Sequence, residues 1–196
     1  MALWGATDAD ESKPKWMTTA DKKEVLATTA GWVVEAGSAM TGNDNTASTP
    51  EVLVATGGLT TSLGAATIDS VDWITTTADK SAGFTLSVRV RYNEAVDVAT
   101  SNPTLAVTNS NAGSGSGRGP HTLVYASGTG TNELVFSLAI AAANAATNAD
   151  DVLSIAAQNV LLAGSSTIRD AGTSTNAEVA ISSGQGSSAG TLTVVA

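Results

Sequence analysis

The sequence predicts an all-β protein: a two-sheet β-sandwich over residues 66–196, preceded by a small anchor segment over residues 1–65. Three observations predict it. Ala, Thr, Ser and Gly dominate a chain of 196 residues in which only 4% are aromatic, a composition that favours strands and many turns. Phe84, Leu86, Val88, Val90 and Tyr92 alternate with Thr85, Ser87, Arg89 and Arg91, and a period of two gives a strand one apolar and one wet face. Apolar runs then recur at near-even spacing to the C-terminus, separated by Gly-, Asn- and Ser-rich stretches, which is the arithmetic of a sandwich.

In chain order, residues 1–65 hold three of the four tryptophans (Trp4, Trp16, Trp32) and four of the five lysines (Lys13, Lys15, Lys22, Lys23). Thr18 or Thr19 can cap a short helix that Gly31 stops. Trp32–Val34 and Val52–Val54 are predicted strands of a small hairpin, joined through the turn-rich Gly42-Asn43-Asp44-Asn45-Thr46. Such a unit is too small to bury much by itself and must dock on something. Gly57-Gly58 and residues 62–66 read as a linker. Strands follow at 68–75, 83–92, around Leu105 and Val107, at 122–125 and at 134–140, with a hairpin turn over residues 127–132. Shorter strands are expected at 152–155, 160–162, 178–181 and 191–195. Residues 110–119 read as a loop, and the alanine-rich 141–149 as a short helical turn. With so few rings the core must be built from Val, Leu, Ile and Ala, and is expected to be thin.

The formal charge of −9 makes nucleic acid and anionic membrane poor partners. Absence of cysteine removes disulfides, thiolate metal sites and cysteine catalysis. The N-terminus has no basic and apolar signal regions, and no apolar run is long enough to span a bilayer. The expectation is a protein made in a cytoplasm without export.

Candidate chemistry is sparse. His121, the single histidine, would have to serve as base of any Ser-His-Asp triad, but no nucleophile elbow accompanies it. It reads as a residue at a loop edge or strand start. Gly113–Gly119 alternates glycine like a phosphate loop, yet a proline and a strand follow where a helix is needed. Asp69, Asp72, Asp97, Asp150, Asp151 and Asp170 lie near strand ends, where carboxylates either ligate calcium or cap turns; turn chemistry is the more economical reading. Glu94 and Glu133 could form a glycosidase pair, but few rings remain to stack on sugar. An enzyme is therefore not expected, nor any cofactor or metal. Trp4, Trp16 and Trp32, with Lys13 and Lys15, are the expected partner-binding residues, because aromatics in a segment without its own core seek burial elsewhere. Trp73, inside a predicted strand, is expected in the core.

Four segments carry a resemblance: Tyr92-Asn93-Glu94-Ala95-Val96-Asp97-Val98, Pro103-Thr104-Leu105-Ala106-Val107, residues 125–136, and Ile168-Arg169-Asp170-Ala171-Gly172. In order and spacing this stretch resembles the bacterial immunoglobulin-like (Ig-like) repeats of surface and adhesion proteins, which implies an Ig-like β-sandwich. The opening Met1-Ala2-Leu3-Trp4-Gly5, with residues 11–16 and Gly31-Trp32-Val33, is similar to N-termini of virion structural proteins from marine tailed bacteriophages, notably cyanophages. Together the resemblances imply a virion protein, foremost a capsid decoration protein present in many copies, self-associated or not. Its N-terminal anchor would bind the major capsid protein or another virion protein. Its Ig-like domain would face outward and could add adhesion to host-surface carbohydrate. The alternatives are a tail, neck or fibre protein and a bacterial surface adhesion module.

Overall fold

The structure, a computed structural model, describes residues 17–28, 31–54, 65–100, 102–111, 119–142 and 147–196. It is all-β, with two separate apolar clusters that divide between the anchor segment, here called the leader, and the sandwich. No described helix is long and apolar enough to cross a membrane.

The leader begins with α1 (Thr19–Lys22). Its capping box is reciprocal: the Asp21 amide donates to the Thr18 hydroxyl, and the Thr18 amide to the Asp21 carboxylate. The helix is a single turn, shorter than expected. The apolar residues after it enter strand β1 (Val25–Thr28), which pairs antiparallel with β2 (Gly31–Val34), Val25 opposite Val34. Cross-strand burial of Val25, Trp32 and Val34 outweighs continuation of the helix, for which β-branched Val25 and Thr28 are poor formers. β3 (Glu51–Val54) completes a three-stranded sheet on the far side of β2. Met17, Val25, Trp32 and Val34 form its buried cluster, with Met40 and Leu53 packed against it.

The sandwich begins with β4 (Ile68–Trp73) and the two-residue β5 (Ala78–Asp79), and then runs through the 16-residue β6 (Phe84–Ala99). The expected strand ends at Tyr92; the observed one runs through Asn93–Val98, absorbing an irregularity between Arg91 and Val96 as it passes from one set of partners to the next. β7 (Thr104–Asn109), β8 (His121–Ser127) and β9 (Thr131–Ile140) follow as a meander. The shorter β10 (Val152–Ser154), β11 (Gln158–Asn159), β12 (Thr167–Asp170) and β13 (Ala180–Ile181) come next, then α2 (Ser183–Ser188) and β14 (Thr191–Val195).

One continuous sheet runs β12-β6-β9-β8-β7-β10-β14-β5, with β4 pairing the same edge of β6 further back along the strand. It curls so that both halves enclose one core. Alternation decides which side chains enter. Leu86, Val88, Val90 and Tyr92 of β6 are buried, as are Leu134 and Phe136 of β9, Leu105 and Val107 of β7, and Leu153, Leu192 and Val194. Apart from Tyr92 and Phe136 the buried cluster is aliphatic, the core that the composition requires. Phe136 adds an edge-on contact with Tyr125 at 6.1 Å between ring centres. Trp73 packs half-buried against the core and donates its indole N–H to the Gly190 carbonyl at 3.3 Å.

Besides β1, helix α2 and the short strands β5, β11 and β12 were not anticipated. α2 opens with a second capping box, the Ser182 hydroxyl accepting the Gln185 amide and the Gln185 side chain accepting the Ser182 amide. Segment 158–161 lies along β7: the Gln158 side chain both donates to and accepts from the Ala106 backbone, and Thr104 and Leu161 exchange backbone hydrogen bonds. The expected strand at 160–162 is thus one bridge, and the strand at 178–181 shrinks to β13. Gly113–Gly117, Arg118 and residues 143–146 of the alanine-rich turn lie outside the described residues.

The β8–β9 hairpin sets a sharp steric demand. Gly128 has φ +114°, and a Cβ built there would fall 1.8 Å from the Glu133 carbonyl oxygen. Gly128→Ala is expected to destabilise the sandwich by about 3 kcal/mol or more, read as a lower midpoint in urea at unchanged slope; an unchanged midpoint would refute the turn geometry.

Candidate functional site

No described group of side chains assembles into an obvious catalytic constellation, so the candidate site is built from what the leader presents and how it is held. Of the expected partner-binding residues, Trp4, Lys13, Lys15 and Trp16 lie outside the described residues. Trp32 is described and is fully buried, inside the leader's own cluster beside Met17, Val25 and Val34. Its ring is therefore a core element of the leader: the segment does have a small core, and Trp32 fills it.

What the leader leaves open is its outer edge. The sheet order is β1-β2-β3, and among the described residues no strand pairs with the far side of β3. Val52 on β3 is 52% exposed. Beside it Val34, Met40, Thr41, Glu51, Val52 and Leu53 line a mainly apolar groove of about 460 Å³. An unpaired strand next to an apolar groove is a ready template for another chain.

The opposite side of the leader meets the sandwich through charge. Glu35, just past β2, accepts a 2.6 Å hydrogen bond from the Asn132 side-chain amide and lies 3.7 Å from the Arg91 guanidinium. Arg91 also bonds Glu133 at 2.6 Å, and Arg89 reaches the same Glu133 oxygen at 3.3 Å. Lys23 faces Asp72 of β4 at 3.8 Å. Glu24, held by the Ser38 hydroxyl, completes a polar cleft of about 380 Å³ that Glu35, Arg89, Arg91 and Glu133 also line. Burial raises the Glu35 pKa above the usual glutamate value; the Asn132 bond and Arg91 oppose the rise, Glu133 adds to it and Arg89 subtracts. Sequence reasoning overlooked Glu35 and Asn132. A signal existed: Arg89 and Arg91 share the polar face of β6, and two cations spaced by two on one strand face call for acidic partners across the sheet.

A second polar constellation fixes where the sandwich begins. The amides of Ala66, Thr67 and Ile68 donate in succession to the side chains of Asp170 (2.7 Å), Asn93 (2.8 Å) and Glu178 (3.0 Å). The Thr67 carbonyl accepts the Asn93 amide, and the Ala66 carbonyl accepts the Glu178 amide. The buried Tyr92 hydroxyl donates to the Glu178 carbonyl at 3.1 Å, and burial pushes that phenol well above its ordinary pKa. The segments Tyr92–Val98 and Ile168–Gly172 are thus brought together, since β12 pairs with this half of β6, Asp170 opposite Val96.

The remaining sequence candidates separate. His121 is the first residue of β8, buried, with its Nε2 3.1 Å from the Thr147 hydroxyl. Burial lowers its pKa, while nearby Asp151 raises it. Asp151 is fully buried and accepts the side-chain amides of Asn109 and Asn111 and the Asn148 amide. Asp97 accepts the Gly172 amide, and Asp72 the Ser70 hydroxyl. Among the described residues no three acidic or histidine side chains are grouped to hold a metal ion. Glu94 lies within β6 and is buried, whereas Glu133 is in the arginine cleft.

Comparisons with protein-family models, with curated proteins and with solved structures returned no match.

Asp170→Ala is expected to cost the sandwich about 1–3 kcal/mol, because it strands a buried amide, while Asp170→Asn, which keeps an acceptor, recovers part of the loss; denaturant titration checks both. His121 adds a pH dependence. Its folded pKa lies below the ordinary 6.5, so its contribution is complete above that pH and is lost as pH falls towards the folded value. The stability difference between the wild type and His121→Gln should therefore shrink on acidification below about pH 6.5, a trend that paired urea melts would show or refute.

Proposed function

We propose that this chain is a non-enzymatic structural protein of a tailed-phage virion, a capsid decoration protein whose leader docks on the shell protein while its sandwich is displayed outward. The observation that carries the reading is the two-sidedness of the leader. One side is committed to the sandwich through Glu35 and Lys23, and the other carries the open β3 edge and its apolar groove. A shell subunit supplying a strand or an apolar side chain would bury Val52 and complete the sheet. Lys13, Lys15, Trp4 and Trp16, directly upstream in sequence, would extend the same contact, as the resemblance of the N-terminus implies. Many identical copies on one particle would make even a weak host-surface contact of the displayed domain effective.

The Ig-like reading of the sandwich is supported by its connectivity. β4 pairs antiparallel with β6, and shortly afterwards β5 pairs parallel with the last strand, β14. β6 pairs with β9 and β7 with β10, so strands close in sequence part and later strands return beside them.

Antibody raised against the sandwich is expected to label the shells of virions purified from a lysate that contains the protein. Label confined to tails would transfer the protein to the tail, and unlabelled particles would end the virion reading. Val52→Asp should reduce co-sedimentation with those particles by about tenfold or more while leaving the sandwich's melting temperature unchanged; undiminished co-sedimentation would show that β3 is not the docking edge.

A further inference from the structure

The cleft between leader and sandwich has an unequal charge count. Three carboxylates line it, Glu24 and Glu35 from the leader and Glu133 from β9, against two guanidinium groups, Arg89 and Arg91 of β6. Glu133 takes up both cations, at 2.6 Å from Arg91 and 3.3 Å from Arg89. Glu24 is held by the Ser38 hydroxyl on its own side of the cleft. Glu35 alone among them reaches across, to Asn132 at 2.6 Å and to an Arg91 already committed to Glu133, at 3.7 Å. The surplus carboxylate of the cleft is thus also its bridging one. The Asn132 contact is an amide N–H donating to oxygen, which survives when the carboxyl takes a proton on its other oxygen.

We infer that the joint is a proton-controlled latch, in which uptake of one proton by Glu35 fastens the leader to the sandwich and its release as pH rises loosens it. The inference is independent of which partner occupies the β3 edge. Its sign follows from the geometry: ionised Glu35 brings a third negative charge into a partly buried cleft with two positive ones, whereas neutral Glu35 leaves two anions facing two cations and keeps its bond to Asn132. The raised pKa of Glu35 has the same direction. A group whose docked-state pKa is raised stabilises docking fully below its free value and loses that contribution as pH rises through the docked one. Lys23 and Asp72 form the second ionic contact across the joint and tether the loosened leader.

Hydrogen exchange of the full-length protein tests this. After correction for intrinsic exchange chemistry, amides of β1 and β2 are expected to gain about threefold or more protection between about pH 7.5 and about pH 4.5, while amides of β9 distant from the joint do not. Glu35→Gln, which keeps the acceptor for Asn132 and has no charge, should show the acid level of leader protection at both pH values. Leader protection that is flat or falls on acidification in the wild type overturns the latch, as does an unchanged pH response in Glu35→Gln. The far-ultraviolet spectrum and the β9 protection of the variant establish that its sandwich is folded, and Glu35→Asp, which keeps the titrating charge, should retain a pH response.

Discussion

Strand β6 is shared by nearly every part of the molecule, and its two-residue alternation is the constraint on which the rest depends. Its buried phase supplies Leu86, Val88, Val90 and Tyr92 to the core. One edge pairs with β9, and the other pairs first with β4 and then with β12. Its polar phase presents Arg89 and Arg91 to the leader. A slip of one residue would turn the arginines inward and the valines outward. The same slip would remove the leader's counter-ions and displace Asn93 from the amide of Thr67. Sheet, core, joint and the start of the sandwich therefore share one register.

The two apolar clusters follow from how little each part can bury. The sandwich encloses a continuous aliphatic core with two rings in it, whereas the leader gathers a handful of residues around Trp32. A cluster of that size does not stabilise an independent domain, which is why the leader leans on β6. The contacts it makes with β6, β9 and β4 through Glu35 and Lys23 are ionic or hydrogen-bonded, and such contacts across a half-exposed boundary are worth far less than buried apolar area. The leader is consequently held at the low end of the molecule's stability range.

The fold was largely readable where burial imposes a period. Residues 84–92 and 134–140 alternate because one face enters the core, and both are strands. Reading failed where long-range pairing overrides local pattern. Strand β1 is hidden behind a helix start because only the partnership of Val25 with Val34 makes it a strand. β6 continues past Tyr92 because β12, more than seventy residues later in the chain, pairs with it. The helix after Ser182 was legible in principle, since Ser-x-x-Gln is a capping box, but its glycine and serine content conceals it. Of the site, Trp32 was expected to bind a partner, whereas its ring lies inside the leader's own small core. Glu35 and Asn132 had no local mark, because a single carboxylate after an apolar strand becomes significant only when tertiary structure brings an arginine within reach.

The parallel contact between β5 and β14 has a mechanical meaning. Val194 lies beside Ala78 and Val195 beside Asp79, with the Lys80 amide donating to the Val195 carbonyl. A pull on the chain's C-terminal end, resisted at the side of β5 that leads back to β4 and the clamped residues 66–68, draws two parallel strands along one another. Their hydrogen bonds are then loaded together in shear instead of opening one after another. A tether through the leader would place this patch in the path of tension, so that the last strand of the domain yields as a unit before the β6–β9 interior is stretched.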